Sequence, residues 1–258
     1  KDRATGRACT RCGRPACPEC LHEAPVGSHC WECIKAARPP VRQRVRQHSA
    51  SQPELLTRII IGINLAVFLL TTSDDGRLRQ LVLNGFDVGV RDEWYRLVTA
   101  GFVHFGIIHI AFNMVILYRF GQMLEPALGR IRFGALYLAA LLGGAAGALL
   151  LTPDAYTAGA SGAVFGLVGA AAVGMRRRGI DVWQSGVGPL LAINLVLTFV
   201  LSNISIGGHL GGLAGGAAVG VFMFRSDRIT TRSIAAGVAV AGLVSAACMA
   251  VAASAVAV

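Results

Sequence analysis

Charge is scarce in this chain. Only 15% of its 258 residues are Asp, Glu, Lys or Arg, and just 14 are acidic. A soluble domain of this length is more polar and has apolar runs shorter than a bilayer is wide. No separate signal peptide is visible either, because the first apolar run begins at residue 55, behind a long polar stretch. No solenoid-type repeat is apparent. Since the chain starts at Lys1 rather than Met, a missing N-terminal piece is expected.

Apolar sequence fills most of what remains. Mean hydropathy is +0.58, 54% of residues are hydrophobic, and 32 are glycine. Spanning a hydrocarbon core takes roughly 20 apolar residues. Seven runs qualify as candidates: 55–72, 101–118, 133–151, 159–175, 186–202, 206–224 and 233–257. The fourth and fifth are short and Gly-rich, so packing against neighbours must compensate. The expected fold is an all-α polytopic membrane protein.

A net charge of +10 suits nucleic acid only if the basic residues cluster accordingly, and they do not. With the first run directed outward, the inner loops hold Arg119, Arg130 and Arg132, then Arg176, Arg177 and Arg178, then Arg225, Arg228 and Arg232. The outer loops 152–158 and 203–205 carry no Lys or Arg, and the long loop 73–100 mixes both signs. This bias predicts a multi-pass protein of the cell membrane with a cytoplasmic N-terminus and an extracytoplasmic C-terminus. Anionic headgroups would add to the attraction. No nucleic-acid partner is expected.

Residues 1–36 differ from the rest. Six of the seven cysteines fall here as three pairs: Cys9-x2-Cys12, Cys17-x2-Cys20 and Cys30-x2-Cys33. Such knuckles chelate tetrahedral zinc. Disulfides are the alternative, but a cytoplasmic segment keeps its thiols reduced. So short a segment cannot build an adequate core, and structural zinc would supply its folding energy. A cross-braced site of Cys9, Cys12, Cys30 and Cys33 is expected. Cys17 and Cys20 then need two more ligands, either His22 and His29 or an upstream pair. A basic linker, 37–54, follows. Cys248 reads as a small buried apolar residue.

Two polar side chains stand out within the apolar runs. Ser161 lies in Gly159-Ala-Ser-Gly162 at the outer end of the fourth run, and His209 lies in Gly207-Gly-His-Leu-Gly-Gly212 near the outer end of the sixth. Intramembrane polar groups are costly and mark functional sites. Ser161 alone reads as a small-residue packing position. His209 at matching depth alters that, since a serine nucleophile needs a base. Gly208, Gly212, Gly216 and Gly220 recur every fourth residue as a bare stripe, along which two helices can approach closely. On the second run, His104-x4-His109-x3-Asn113 sets His109 and Asn113 on one face. Both are candidate donors to a developing oxyanion, together with the Ser161 amide. His104 reads as a bundle-fixing hydrogen-bond partner, Glu125 as a cap or tie, and Trp94-Tyr95-Arg96 as an interface anchor.

Gly-Ala-Ser-Gly, His-x3-Asn and Gly-His-Leu-Gly-Gly, in that order on three helices, resemble the rhomboid intramembrane serine proteases. The resemblance covers about residues 55–225 and implies a six-helix core. It also implies that Ser161 attacks a peptide carbonyl, that His209 is the base and then the acid, and that no aspartate or cofactor takes part in catalysis. His109, Asn113 and the Ser161 amide would form the oxyanion site. Substrates would be transmembrane segments entering from the bilayer past the fifth helix. Phe165 stands where many relatives have a tyrosine stacked on the histidine. Residues 226–258 would add a seventh helix. The cysteine region resembles a B-box-like zinc module of some actinobacterial members, with a cytoplasmic protein partner as its expected role. A catalytically silent rhomboid-like binder or chaperone is the competing expectation, and a solute transporter is a third. The presence of both Ser161 and His209 weighs against the silent binder. The lack of paired broken helices weighs against the transporter.

Overall fold

The computed structural model describes residues 6–24, 26–37, 54–201, 204–225 and 230–256. Most of the expected basic linker and Arg228 lie outside the described residues. The chain divides into two compact units, 1–52 and 53–258.

The first unit is small. Strand β1 (Leu21–Glu23) pairs antiparallel with β2 (Ser28–Cys30), matching His22 with His29, and β2 runs into α1 (Trp31–Ala37). The turn between the strands depends on Gly27, whose φ of +72° is costly for any residue with a Cβ. Its chain is crowded as well: a Cβ there would overlap the Thr10 side chain.

The described residues of the second unit form mainly helices. Its order is α2 (Leu55–Thr71), three short loop helices α3 (Asp75–Leu81), α4 (Gly85–Gly89) and α5 (Arg96–Thr99), then α6 (Ile107–Leu128), α7 (Arg130–Leu151), α8 (Ser161–Arg177), α9 (Val187–Val200), α10 (Ile206–Met223) and α11 (Thr231–Val256). Four of these are long and apolar enough to cross a membrane: α6, α7, α10 and residues 232–256 of α11. Helices α2 and α9 are shorter and apolar. Their outer faces suit lipid: Ile108 and Val115 on α6, Ile193, Phe199 and Val200 on α9, and Leu243 on α11 are all exposed. The chain is a multi-pass membrane protein.

One helix departs from expectation. The second apolar run was expected at 101–118, but residues 100–102 form a 3₁₀ turn and α6 runs from Ile107 to Leu128. Gly106 is extended, which starts the helix late. The hydropathy reading stopped at Arg119, whereas in the structure Arg119 is exposed and the helix continues past it. A long basic side chain can snorkel without ending a helix.

Helix α10 lies against α7 and α8 and makes the tightest packing in the unit. Gly212 and Gly216 meet Gly162 and Gly166 of α8, backbone against backbone. A second stripe, Gly207 and Gly211, meets Gly147 and Gly143 of α7 in the same way. Without a hydrophobic drive between helices in lipid, such close van der Waals packing is what holds them together.

Polar side chains tie the helix ends. The Glu125 carboxylate, buried near the end of α6, accepts from the Leu56 and Thr57 amides at 2.8 Å each and from the Thr57 hydroxyl at 2.7 Å. It thus caps α2, the role expected of a tie. Arg132, in the first turn of α7, is buried and donates to the Met223 carbonyl at the end of α10. Arg96 corrects the interface-anchor expectation. It is only 3% exposed, donating to the Arg79 and Val82 carbonyls at 2.6 and 2.7 Å and to Glu93 at 2.6 Å. It braces the loop from inside, while Tyr95 is exposed and donates to the Gln80 carbonyl.

Alanine substitution separates helix propensity from packing. Both Gly62 and Gly212 are helix-interior glycines, where alanine gains roughly 1 kcal/mol of propensity. Nothing lies within 4 Å of a Cβ at Gly62, so Gly62→Ala is expected to keep or raise the thermal midpoint in detergent. At Gly212 a methyl group would overlap the Gly162 carbonyl. Overpacking costs about 1–3 kcal/mol, so Gly212→Ala should lower the midpoint by several degrees. Equal midpoints for the two variants would contradict this packing.

Candidate active site

The N-terminal ends of α6, α8 and α10 and the C-terminal half of α9 surround a cavity of about 1340 Å³ lined by His109, Asn113, Ser161, Phe165, Asn194 and His209, among others. Each reaches it for a local reason. Ser161 is the first residue of α8, where amide groups have no intrahelical partner. The turn before it needs glycine: Gly159 has a φ of +127°, and a Cβ there would fall 2.7 Å from the His109 ring. The Gly159 amide donates to the Ala100 carbonyl at 2.9 Å, fixing the turn against the 3₁₀ segment.

His209 sits in the first turn of α10, whose start is capped by Ser205 accepting from the Gly208 amide at 3.1 Å. Its ring stacks on Phe165 with centroids 4.0 Å apart and planes 21° apart. Its Nδ1 lies 2.6 Å from the Thr198 hydroxyl of α9. Asn113 is buried, borders the cavity and donates one of its two amide hydrogens to the His109 carbonyl at 2.9 Å. His109 is half-buried and lies edge-on to His104 at 4.9 Å. His104 is fully buried and accepts from the Ala160 amide at 3.4 Å, the structural role expected of it.

The four side chains singled out from the sequence therefore line one cavity. Among the described residues, however, Ser161 Oγ makes no hydrogen bond to His209. One contributor was missed. Thr198 lies in an apolar run, and its signal is Asn194 one turn before it, a second polar residue on the same face of α9.

In the first unit, the sulfur atoms of Cys9, Cys12, Cys30 and Cys33 all lie within 4.8 Å of one another. Cys12 and Cys30 are 3.8 Å apart, and tetrahedral zinc–sulfur bonds imply an edge of about 3.8 Å. The Cys30 amide donates to Cys9 at 3.2 Å and, as the largest cause, draws that thiol down to about 5. Cys33 is pushed up to about 12, chiefly by Cys12 and then by burial. Without a cation the four sulfurs cannot share negative charge, and a bound metal removes that conflict. The donor set fits a structural metal. Cys17 and Cys20 lie 3.1 Å apart, but among the described residues neither His22 nor His29 joins them in a ligand group.

A polytopic helical membrane protein with serine, two histidines and asparagine around one cavity defines a narrow class. The rhomboid domain family matches residues 91–226, more than half the chain, and the chain belongs to the rhomboid family. It is 34% identical over 168 residues to the rhomboid protease GluP of Bacillus subtilis strain 168, an alignment covering 62% of this chain and 33% of GluP. It is 35% identical over 139 residues to YdcA of the same strain, covering 52% of this chain and 70% of YdcA. It is also 34% identical over 140 residues to the mitochondrial RHOMBOID-like protein 6 of Arabidopsis thaliana, covering 51% and 44%. The chain thus spans only about a third of the length of GluP.

Metal analysis of the purified full chain tests the cysteine geometry. The wild type is expected to carry a bound metal that Cys12→Ser and Cys30→Ser lose and Cys17→Ser keeps. A Cys17→Ser protein as depleted as Cys30→Ser would contradict the four-cysteine site.

Proposed function

We propose that this protein is an intramembrane serine endopeptidase that cleaves transmembrane segments of membrane proteins. The observation that carries the reading is the shared cavity of Ser161, His209, His109 and Asn113. Family membership and the rhomboid protease relative support it. Ser161 Oγ attacks the scissile carbonyl while His209 takes its proton. The Ser161–Oγ–carbon bond forms as the carbonyl π pair moves onto oxygen. That oxyanion is received by His109, the second Asn113 amide hydrogen and the Ser161 amide; such donors contribute about 10²–10³ each in rate where one has been removed. His209 then protonates the leaving amine, and the peptide bond breaks. Water, deprotonated by His209, releases the acyl group and restores the serine.

The missing Ser161–His209 hydrogen bond is compatible with this sequence of steps, because catalytic contacts are often long in free enzymes and tighten with substrate. No carboxylate is assigned to His209, so its charged form lacks a counter-ion and turnover is expected to be slow. A fully hydrogen-bonded substrate helix hides its carbonyls, which favours substrates with Gly, Ala or Ser near the cleaved bond. The arginine bias supports a cytoplasmic N-terminus and metal module in a cell-membrane protein. The metal is zinc, favoured by four thiolates in tetrahedral reach, and the module serves protein interaction or regulation.

Reconstitution tests the reading. Wild-type protein in liposomes cleaves a co-reconstituted transmembrane substrate, whereas Ser161→Ala and His209→Ala, inserted and folded normally, give no product above background. Equal cleavage by Ser161→Ala would refute the nucleophile. A wild type that binds membrane proteins but never cleaves them would indicate the silent binder instead.

A further inference from the structure

We infer that Thr198 is a positioning residue that holds His209 in the tautomer a general base requires. The inference rests on the reading of His209 as the base for Ser161. Thr198 is 1% exposed and His209 7%, so bulk water does not compete for their contact. Thr198 Oγ1 lies 2.7 Å from the Asn194 carbonyl one turn earlier in α9 and 2.6 Å from His209 Nδ1 in α10. A hydroxyl has one proton and two lone pairs, and a carbonyl oxygen can only accept. The hydroxyl proton therefore occupies the Asn194 contact, a common bond for a helical threonine. What faces Nδ1 is a lone pair. At 2.6 Å a bare Nδ1 would set lone pair against lone pair, so Nδ1 carries the ring proton and donates it to Thr198. In a neutral imidazole that leaves Nε2 bare, and Nε2 is the nitrogen available to take the serine proton.

The surrounding contacts agree with this assignment. Asn194 turns its amide hydrogens back to the Leu190 carbonyl at 2.8 Å, so its side chain does not compete for Thr198. Phe165 fixes the plane of the imidazole by stacking, and Thr198 fixes which edge points where. The hydroxyl is neutral: it orients the ring but supplies no counter-charge. It also belongs to α9, the helix past which substrate is expected to enter. The base is therefore oriented only while α9 rests against α10.

Paired substitutions in the full-length protein separate orientation from shape. Thr198→Val keeps the branched form and loses the hydroxyl, while Thr198→Ser keeps the hydroxyl. The readout is the rate at which a small fluorophosphonate labels Ser161, which needs an activated serine but no substrate helix moving past α9. Thr198→Val should label at least about tenfold more slowly, as expected when a catalytic histidine loses its tautomer control, and Thr198→Ser should label within about twofold of wild type. Nitrogen-15 spectra of histidine-labelled protein, with His209 assigned by its loss in His209→Ala, should show protonated Nδ1 and bare Nε2 in wild type and Thr198→Ser, and a mixture in Thr198→Val. Wild-type labelling rate and an unchanged tautomer in Thr198→Val would overturn the inference and leave the Ser161–His209 reading standing. Equal labelling of wild type and Ser161→Ala would remove that reading itself. If Thr198→Val does not fold, the wild-type spectrum decides, and an Nε2-protonated His209 overturns the inference.

Discussion

Backbone contact between glycine-faced helices is the constraint on which the rest of the structure depends. Helix α10 touches α7 along Gly207 and Gly211 and α8 along Gly212 and Gly216, close enough that a single methyl would collide with a facing carbonyl. Lipid offers no hydrophobic reason for helices to associate, so near contact and the dispersion energy it brings must do so. The consequence for chemistry is geometric. Ser161 opens α8 and His209 falls in the first turn of α10, and because these two helices meet so closely, both side chains border one cavity.

Helix ends need a different solution, since their amides and carbonyls have no partners within the helix. Three buried charged side chains supply them: Glu125 caps α2, Arg132 reaches the last turn of α10, and Arg96 gathers two loop carbonyls. Each charge is paired with polar backbone, which makes its burial tolerable. The cavity is treated otherwise. There, Asn113 gives one of its two amide hydrogens to the His109 carbonyl, and Ser161 Oγ makes no hydrogen bond to His209 among the described residues. The three charged side chains supply partners to backbone groups at helix ends and in the loop, whereas Ser161 and Asn113 border the cavity where the proposed chemistry takes place.

Much of this was legible in the residues, and the rest was hidden for specific reasons. Six of the seven apolar runs start within three residues of a helix, because hydropathy over bilayer width is a strong signal. The second run was misplaced, since Arg119 ended the apolar pattern without ending the helix. One glycine stripe of α10 was visible in its four-residue spacing. The stripe facing α7 was not recognised, because periodicity alone does not reveal that a helix has two close neighbours. The cysteine spacing anticipated the group of four, whereas the surroundings of Cys17 and Cys20 could not be read from spacing. Thr198 escaped notice because a threonine in an apolar helix ordinarily bonds only its own carbonyl one turn back. Its second contact exists only in three dimensions.

The most direct test of the central claim is where a fluorophosphonate attaches. Peptide mapping by mass spectrometry of membranes containing the wild-type chain should place the adduct on Ser161 alone, and His209→Ala should leave Ser161 unmodified. An adduct on another residue, or undiminished modification of Ser161 without His209, would contradict the account.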